Sequence, residues 1–455
     1  MSPRSKVILL EKSQVAPPPN TLFELSHDLT FSDMMFIGCI PNQRLIFYNN
    51  HVQKDYFIET IIPNLKKSLS HALMYFPSLA GNCIIPTDSN KPEIRYVEGN
   101  SVSFVVAESN FLDFDDIVSD EAQLCSGFYP YLPRLSTGGG GKFPILAVKV
   151  TLFPETGFCI GVECQHVAAD GCAFYAFMKK WAMLSKFGEC ESSNGYELLP
   201  IYDRVVVRDH TKELDDLFLN NSRNTLGKKG IEVIKTPGPK PDQVRSTFVI
   251  PMDDVQRLKN YAPKQRLSQK PMSTFTVVCA YIWTCMVKAN NVTNGKPDAE
   301  ETEHFCCPFD FRGRVEPPIP SNYFGNCIVH CATFAKNGEL SGEEGFLVAV
   351  ERIREAVEKR CQGVFKGLER MIDKYGDINL DRMLWFAGSE RLDYYKMDFG
   401  WGKPIKFEMI STDSNGAIYL NGCRDGSQVP EIGITLPREK MKVFSEIFRG
   451  GLNTL

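Results

Sequence analysis

Polar and apolar positions alternate across residues 146–153, the period of a strand with one buried face. A second apolar run, residues 158–162, leads straight into Gln165-His166-Val167-Ala168-Ala169-Asp170-Gly171. Residues 174–184 then carry apolar side chains at helical spacing. The pattern predicts a pair of strands, a turn bearing one imidazole, and a helix. A side chain at such a strand end is well placed to project into a cleft.

The same periods organise the rest of the chain. Residues 44–48 and 94–96 read as strands, and 57–76 as a long amphipathic helix. Pro77-Ser78-Leu79-Ala80-Gly81 punctuates the chain after it. The glycine run 138–141 predicts a flexible loop. Residues 188–240 are polar, with several Pro and Gly and little periodicity, and predict a long crossover between two domains. Beyond it, 245–250 reads as a strand and 253–261 as a helix. Residues 273–289 predict a strongly apolar helix with Ser273 or Thr274 as its N-cap. Residues 345–374 predict one helix with a break near Gly363, followed by strands at 405–410, 418–420 and 430–436 and a closing helix at 440–448. No internal repeat is visible. The 455 residues exceed what one core usually serves. Two domains are expected, residues 1–205 and 243–455, joined by a linker at 206–242.

Composition excludes several classes. Hydrophobic content of 43% and charged content of 23% suit a globular protein. A net charge of −4 argues against bulk binding to nucleic acid or an anionic membrane. No apolar run approaches the roughly 20 residues that span a bilayer. The N-terminal segment lacks a signal-peptide core, and Asn453-Thr454-Leu455 is no targeting address. The 15 cysteines are odd in number and scattered through apolar runs. They read as reduced, buried thiols, and the expected compartment is the cytoplasm.

Candidate chemistry centres on His166. An imidazole with an unperturbed pKa of ~6.5 can take a proton from a hydroxyl near neutral pH. A satisfied core histidine is the alternative reading. Asp170 precedes the helix and reads as its N-cap. No second histidine or cysteine pair recurs at metal-ligand spacing, so no metal is expected. In Asp398-Phe399-Gly400-Trp401-Gly402, two glycines around an aromatic allow a tight turn. The first three letters match a kinase motif, but the other kinase signatures are absent. Cys306-Cys307 and Cys327-Ile328-Val329-His330-Cys331 have the wrong spacing for zinc and read as buried thiols. Residues 138–142 lack the Ser or Thr a phosphate loop needs after its lysine. No G-x-S-x-G elbow supports an acyl-serine.

Taken together, His166-Val167-Ala168-Ala169-Asp170 and Asp398-Phe399-Gly400-Trp401-Gly402 resemble the two signatures of the plant BAHD acyl-CoA-dependent acyltransferases, in the family's order and separation. The likeness runs along nearly the whole chain. It takes in residues 7–14 with Pro17-Pro18-Pro19, Leu29-Thr30-Phe31, residues 77–81 and residues 276–283. Tyr323-Phe324-Gly325-Asn326-Cys327 resembles the mark of the branch that acylates flavonoid and anthocyanin glycosides.

The resemblance implies an α/β fold of two similar-sized, chloramphenicol acetyltransferase-like domains with mixed sheets. An active-site channel would lie at their interface. Acyl-CoA would enter one face as co-substrate, with no tightly bound cofactor, and a glycosylated acceptor the other; one channel needs no partner chain, so a monomer is expected. It implies that His166, with Asp170 and Asp398 in the signature motifs, forms the catalytic set. Asp170 would be geometric, paired with Arg312 of Asp310-Phe311-Arg312-Gly313, and Asp398 with Gly400, Trp401 and Gly402 would support the structure. Lys259, Lys264, Ser273 and Thr274 match the CoA-binding region, and Ser389 the acceptor side, where it could stabilise an oxyanion.

Malonyl-using relatives often place an arginine just after the first motif, where it pairs with the free carboxylate. Gly171-Cys172-Ala173-Phe174-Tyr175 has none. Phe174 and Tyr175 would suit an aromatic acyl group, so hydroxycinnamoyl transfer is favoured and malonyl transfer stands second. Leu29-Thr30-Phe31-Ser32-Asp33 departs from the usual double phenylalanine. A non-catalytic protein binding acyl-CoA or a phenolic ligand is the competing class, and the intact His166, Asp170 and Asp398 weigh against it.

Overall fold

The strand Gly157–Cys164 is buried along its whole length. It is an inner strand of a six-stranded sheet ordered Val7–Val15, Val102–Ser109, Leu146–Phe153, Gly157–Cys164, Asn42–Asn49 and Lys406–Met409. The pairs are antiparallel except Val102–Ser109 with Leu146–Phe153. The computed structural model describes residues 7–453 apart from 87–90, 111–113, 137–140, 193–198, 230–237, 265–271, 296–297, 371–378, 414–415 and 428.

A second mixed sheet of seven strands is ordered Ile328–Lys336, Thr302–Asp310, Met383–Gly388, Ile418–Asn421, Glu431–Pro437, Gln243–Val249 and Gln123–Leu124. Each large sheet therefore takes one strand from the other half of the chain. Lys406–Met409 completes the first sheet and Gln123–Leu124 the second. The sequence reading holds no sign of this exchange, because strand period says nothing about partners. A small third sheet, also beyond that reading, pairs Glu24–Asp28, Glu93–Val97, Asn82–Ile84 and Lys142–Pro144.

Helices cover the sheets. The predicted helix at 57–76 opens with a π-turn, Phe57–Ile61, and continues as α1, Ile62–Tyr75. Its apolar face (Leu65, Leu69, Ala72, Leu73) is buried against α2, Gly171–Ser192. Trp181 on α2 is fully buried and donates to Leu65 O. Beyond these come α4 (Met252–Lys264), α5 (Thr274–Thr293), α6 (Gly345–Gln362) and α7 (Arg438–Asn453). Ser273 caps α5 by accepting from Thr276 N. α6 ends at Gly363 rather than breaking there; the residues after it turn into a short 3-10 segment, Leu368–Arg370. Residues 371–374, and most of the glycine loop at 138–141, lie outside the described residues.

The stretch expected as a crossover, 188–240, contains a helix that its pattern did not predict, α3, Val205–Lys229. Among its described side chains Val207, Phe218 and Leu219 are buried, with Val206 and Leu214 packed beside them. Polar side chains do the rest. Asp215 accepts from Phe31 N, and Arg208 pairs with Asp215 and Asp28. A helix held this way has too thin an apolar stripe for periodicity to show it. Among the described residues, no helix is long and apolar enough to cross a membrane.

Candidate active site

The strand Gly157–Cys164 ends in a 3-10 turn, His166–Ala168, and α2 begins at Gly171. Asp170 joins them and is fully buried. Its Oδ1 accepts from Ala173 N at 2.9 Å, the N-cap bond predicted from sequence. Its Oδ2 accepts from Cys327 N at 2.9 Å and faces Arg312 Nη1 at 2.7 Å. Arg312 also donates to Gly325 O at 3.2 Å. The expected Asp170–Arg312 pair is present, and it locks the histidine turn to the second half of the chain.

A second lock, which spacing alone does not reveal, joins Asn326 to the same turn. The Asn326 side-chain amide donates to His166 O at 3.0 Å, Val167 O at 3.2 Å and Asp33 Oδ1 at 2.9 Å. Asp33 is itself fixed by Thr30, whose N–H and hydroxyl donate to its other oxygen. Gly325, just before Asn326, is packed so closely that a Cβ there would meet Arg204 Nη1 at 2.5 Å. Tyr323-Phe324-Gly325-Asn326-Cys327 thus acts as a clamp on the backbone of the histidine turn.

The imidazole stacks on Phe36, with ring centroids 3.7 Å apart and planes 9° apart. Burial lowers the His166 pKa to about 4, against the raising effect of its own backbone carbonyl; Arg44 lowers it further and Asp170 opposes. The ring is therefore neutral at pH 7 and free to accept a proton. His330, on the neighbouring strand Ile328–Lys336, is also held down to about 4, by burial and then by the charge of His166 and Arg360. Its ring meets Trp385 edge-on at 5.6 Å.

Asp398 lies apart from this cluster, at the turn that the resemblance implied it supports. Its Oδ1 accepts from Gly400 N at 2.8 Å and Gly402 N at 3.1 Å, and its Oδ2 from Lys186 Nζ at 2.6 Å. Gly400 and Gly402 hold φ of 106° and 94°, which side chains rarely adopt. Ser185 ties the same turn to α2 through Phe399 O. Lys186 lies 15 residues beyond Gly171, or roughly 22 Å along α2 at 1.5 Å per residue. Asp398, Gly400, Trp401 and Gly402 brace the far end of the helix that His166 precedes, and Trp401 packs edge-on against Phe158.

The remaining expected site residues fall in three places. Lys259 Nζ donates to Thr274 Oγ1 at 2.9 Å, next to the Ser273 cap, so those three meet where α4 and α5 pack. The side chain of Lys264 lies outside the described residues. Ser389 sits in the turn after Met383–Gly388, its hydroxyl close to Glu390 Oε2 and Arg391 N, while Leu392 of that turn touches the start of α2 at Gly171. Phe174 is 1% exposed, and its ring lies under the guanidinium of Arg44 rather than forming an open aromatic wall. Tyr175 donates its hydroxyl to Asp393 O at 3.1 Å. The cysteines whose side chains are described are all free, and Cys306, Cys307, Cys327 and Cys331 are buried, as expected. Among the described residues, no group of three or more His, Cys, Asp or Glu could hold a metal ion.

A model of the Transferase family matches residues 6–449. The chain belongs to that family, the BAHD acyltransferases. It is an acyl-CoA-dependent O-acyltransferase. It is 36% identical, over 98% of its length and 97% of the relative's, to the malonyl-coenzyme A:anthocyanin 3-O-glucoside-6''-O-malonyltransferase of Dahlia pinnata. It is 37% identical, over 90% of its length and 91% of the relative's, to phenolic glucoside malonyltransferase 1 of Nicotiana tabacum. Identity is 32%, over 98% and 97%, to an Arabidopsis thaliana coumaroyl-CoA:anthocyanidin 3-O-glucoside-6''-O-coumaroyltransferase. The fold matches vinorine synthase with a TM-score of 0.70 at 21% identity, covering 96% of both chains. The expected two-domain acyltransferase fold is thus the one observed.

Proposed function

We propose that the enzyme transfers an acyl group from acyl-CoA to a sugar hydroxyl of an anthocyanin or flavonoid glycoside. The observation that carries this reading is a neutral His166 whose turn is clamped by Asn326 and by the Asp170–Arg312 pair. A sugar hydroxyl has a pKa far above 7 and is a poor nucleophile unaided. His166 takes its proton as the oxygen attacks the thioester carbonyl. The new C–O bond leaves a tetrahedral oxyanion. Its collapse restores the carbonyl and breaks the C–S bond, and the imidazolium returns the proton to the CoA sulfur. No covalent enzyme intermediate is needed when both substrates share one channel.

Ser389 is the proposed oxyanion donor, its hydroxyl turning away from Glu390 when substrate is bound. Lys259, Ser273 and Thr274 are proposed to hold CoA, where a lysine and a helix N-terminus favour phosphate. The acceptor class is supported by the relatives, whose names specify anthocyanin, anthocyanidin or phenolic glucosides. Both donor readings find support among them, malonyl in Dahlia and tobacco and coumaroyl in Arabidopsis.

The test is a competition assay. The protein meets an anthocyanidin glucoside with equal p-coumaroyl-CoA and malonyl-CoA, and mass spectrometry reads the product. An acylated glucoside is expected. Absence of any ester on this and on a flavonol glucoside would refute the acceptor class.

A further inference from the structure

We propose that Arg44 is the receptor for a free carboxylate on the acyl group, which makes a dicarboxylic acyl-CoA of the malonyl type the preferred donor. This rests on the acyl transfer at His166 proposed above and names its substrate class.

Arg44 lies on Asn42–Asn49, opposite Val162 of the strand that delivers His166. The two strands are antiparallel, so the start of one lies beside the end of the other. Arg44 is 2% exposed. Its guanidinium rests 4.7 Å from the centroid of Phe174 and 5.5 Å from that of Tyr394. Aromatic faces stabilise a cation and keep its plane oriented. They do not replace an acceptor in the guanidinium plane. Nε and Nη1 have no hydrogen-bond partner among the described residues.

The other buried arginines differ. Arg204 donates to Tyr323 and Phe324 O, Arg245 to Glu408 and Asp413, and Arg312 to Asp170. Arg44 alone among these four meets no acceptor within the described residues. A buried cation without an anion is costly, and so are donors without acceptors. The arrangement is relieved when an anion arrives with the substrate.

The position says which anion. Arg44 pairs with Val162, four residues before His166 on the strand that delivers it, so the anion comes with the group that reacts there. The acyl chain of the donor must reach His166. A short chain ending in a carboxylate presents two oxygens to a fork of N–H groups that rests against two rings. A p-coumaroyl group ends in a neutral phenol and leaves the charge unmet. The missing arginine after Asp170 is thus supplied by a neighbouring strand. Phe174, expected as an aromatic wall, becomes the floor under the cation.

Two experiments test this. In the first, wild type, Arg44→Lys and Arg44→Gln are assayed with malonyl-CoA, acetyl-CoA and p-coumaroyl-CoA on one anthocyanidin 3-O-glucoside. Wild type should prefer malonyl-CoA. Arg44→Gln should lose about 100-fold in kcat/KM with malonyl-CoA, the scale of removing one partner of a buried charge pair, and less than about threefold with acetyl-CoA. Arg44→Lys should retain part of the malonyl activity. Equal losses with both donors would assign Arg44 to the oxyanion or to packing and overturn the proposal, as would a wild type that prefers p-coumaroyl-CoA. In the second, His166→Ala is titrated calorimetrically with malonyl-CoA and acetyl-CoA and no acceptor. About tenfold tighter binding of malonyl-CoA is expected, and equal affinities would also overturn it. This arm needs no Arg44 variant to fold. It is also independent of the acceptor: tight malonyl-CoA binding with no product on any glucoside would sink the acceptor reading and leave the role of Arg44 standing.

Discussion

Asn326 donates its side-chain amide to the carbonyl oxygen of His166 across 3.0 Å, while Phe36 stacks on the imidazole. It holds the backbone of the turn that carries the proposed base and also bears on the ring. Asn326→Ala should leave the turn carbonyls and Asp33 without this donor. A general base displaced by about 1 Å can cost on the order of 100-fold in rate. The expected outcome is a kcat loss of about 10- to 100-fold with the KM for acyl-CoA nearly unchanged. Steady-state kinetics decide it; an equal change in both constants would point to a collapsed site instead.

Asp170 and Arg312 form a buried pair between the two halves of the chain. Asp170→Asn removes the anion and leaves Arg312 with only carbonyls and the half-exposed Asp310. Breaking such a pair costs about 3–5 kcal/mol. A clear drop in Tm should accompany a loss of activity, measured by thermal unfolding and by turnover well below the transition. Unchanged stability would mean the pair carries no weight.

His166→Ala should abolish turnover and keep the fold, because the bonds of Asn326 and Asp170 to the turn's backbone remain. The pH dependence carries its own signature. Burial and Arg44 hold the imidazole near a pKa of about 4, below its ordinary 6.5. As a base it works only when neutral, so kcat/KM should fall toward low pH with an acid limb near 4 rather than 6.5. Stability has the same sign. The unfolded chain binds a proton at His166 below 6.5 and the folded chain does not, so the folded state loses ground as pH falls from 6.5 toward 4. His330 adds to the same window. An acid limb near 6.5 in a pH–rate series would refute the buried, neutral base.

The Asp170 cap and the Asp170–Arg312 pairing beside His166 were legible in the sequence, one from its place before a helix and the other from the family resemblance. Strong periods were equally legible, as in Leu146–Phe153, Gly157–Cys164 and α5. What stayed hidden depends on contacts between distant segments. α3 has too few apolar positions to announce a helix, and its ties to Phe31 and Asp28 are polar and long-range. Arg44 lies inside an apolar run that reads only as strand. What sets it apart, two guanidinium nitrogens with no acceptor among the described residues, shows only in three dimensions. Asp398 read as part of a catalytic motif because a motif conceals which end of α2 it braces.

The exchange of strands between the sheets has a pin. Arg245, on Gln243–Val249 of the second sheet, donates to Glu408 at 2.8 Å, Asp413 at 3.0 Å and Met409 O at 3.1 Å. Glu408 belongs to Lys406–Met409, the strand lent to the sheet that holds His166. Tyr419 donates to the same carboxylate at 2.9 Å, and Lys406 lies 3.5 Å from its other oxygen. Burial alone would raise the Glu408 pKa, yet Arg245 and Lys406 bring it below the ordinary carboxylate value. Arg245→Met would leave Glu408 with Tyr419 and Lys406, and Asp413 without its cation. The expected cost is about 3–5 kcal/mol of stability, since uncompensated carboxylates remain buried. His166 is held by other bonds, so kcat well below the transition should change less than about threefold. Denaturant unfolding and low-temperature kinetics read the two effects separately. Unchanged stability would remove Arg245 as the pin, and a large kcat loss in a stably folded variant would show that the lent strand reaches the catalytic turn.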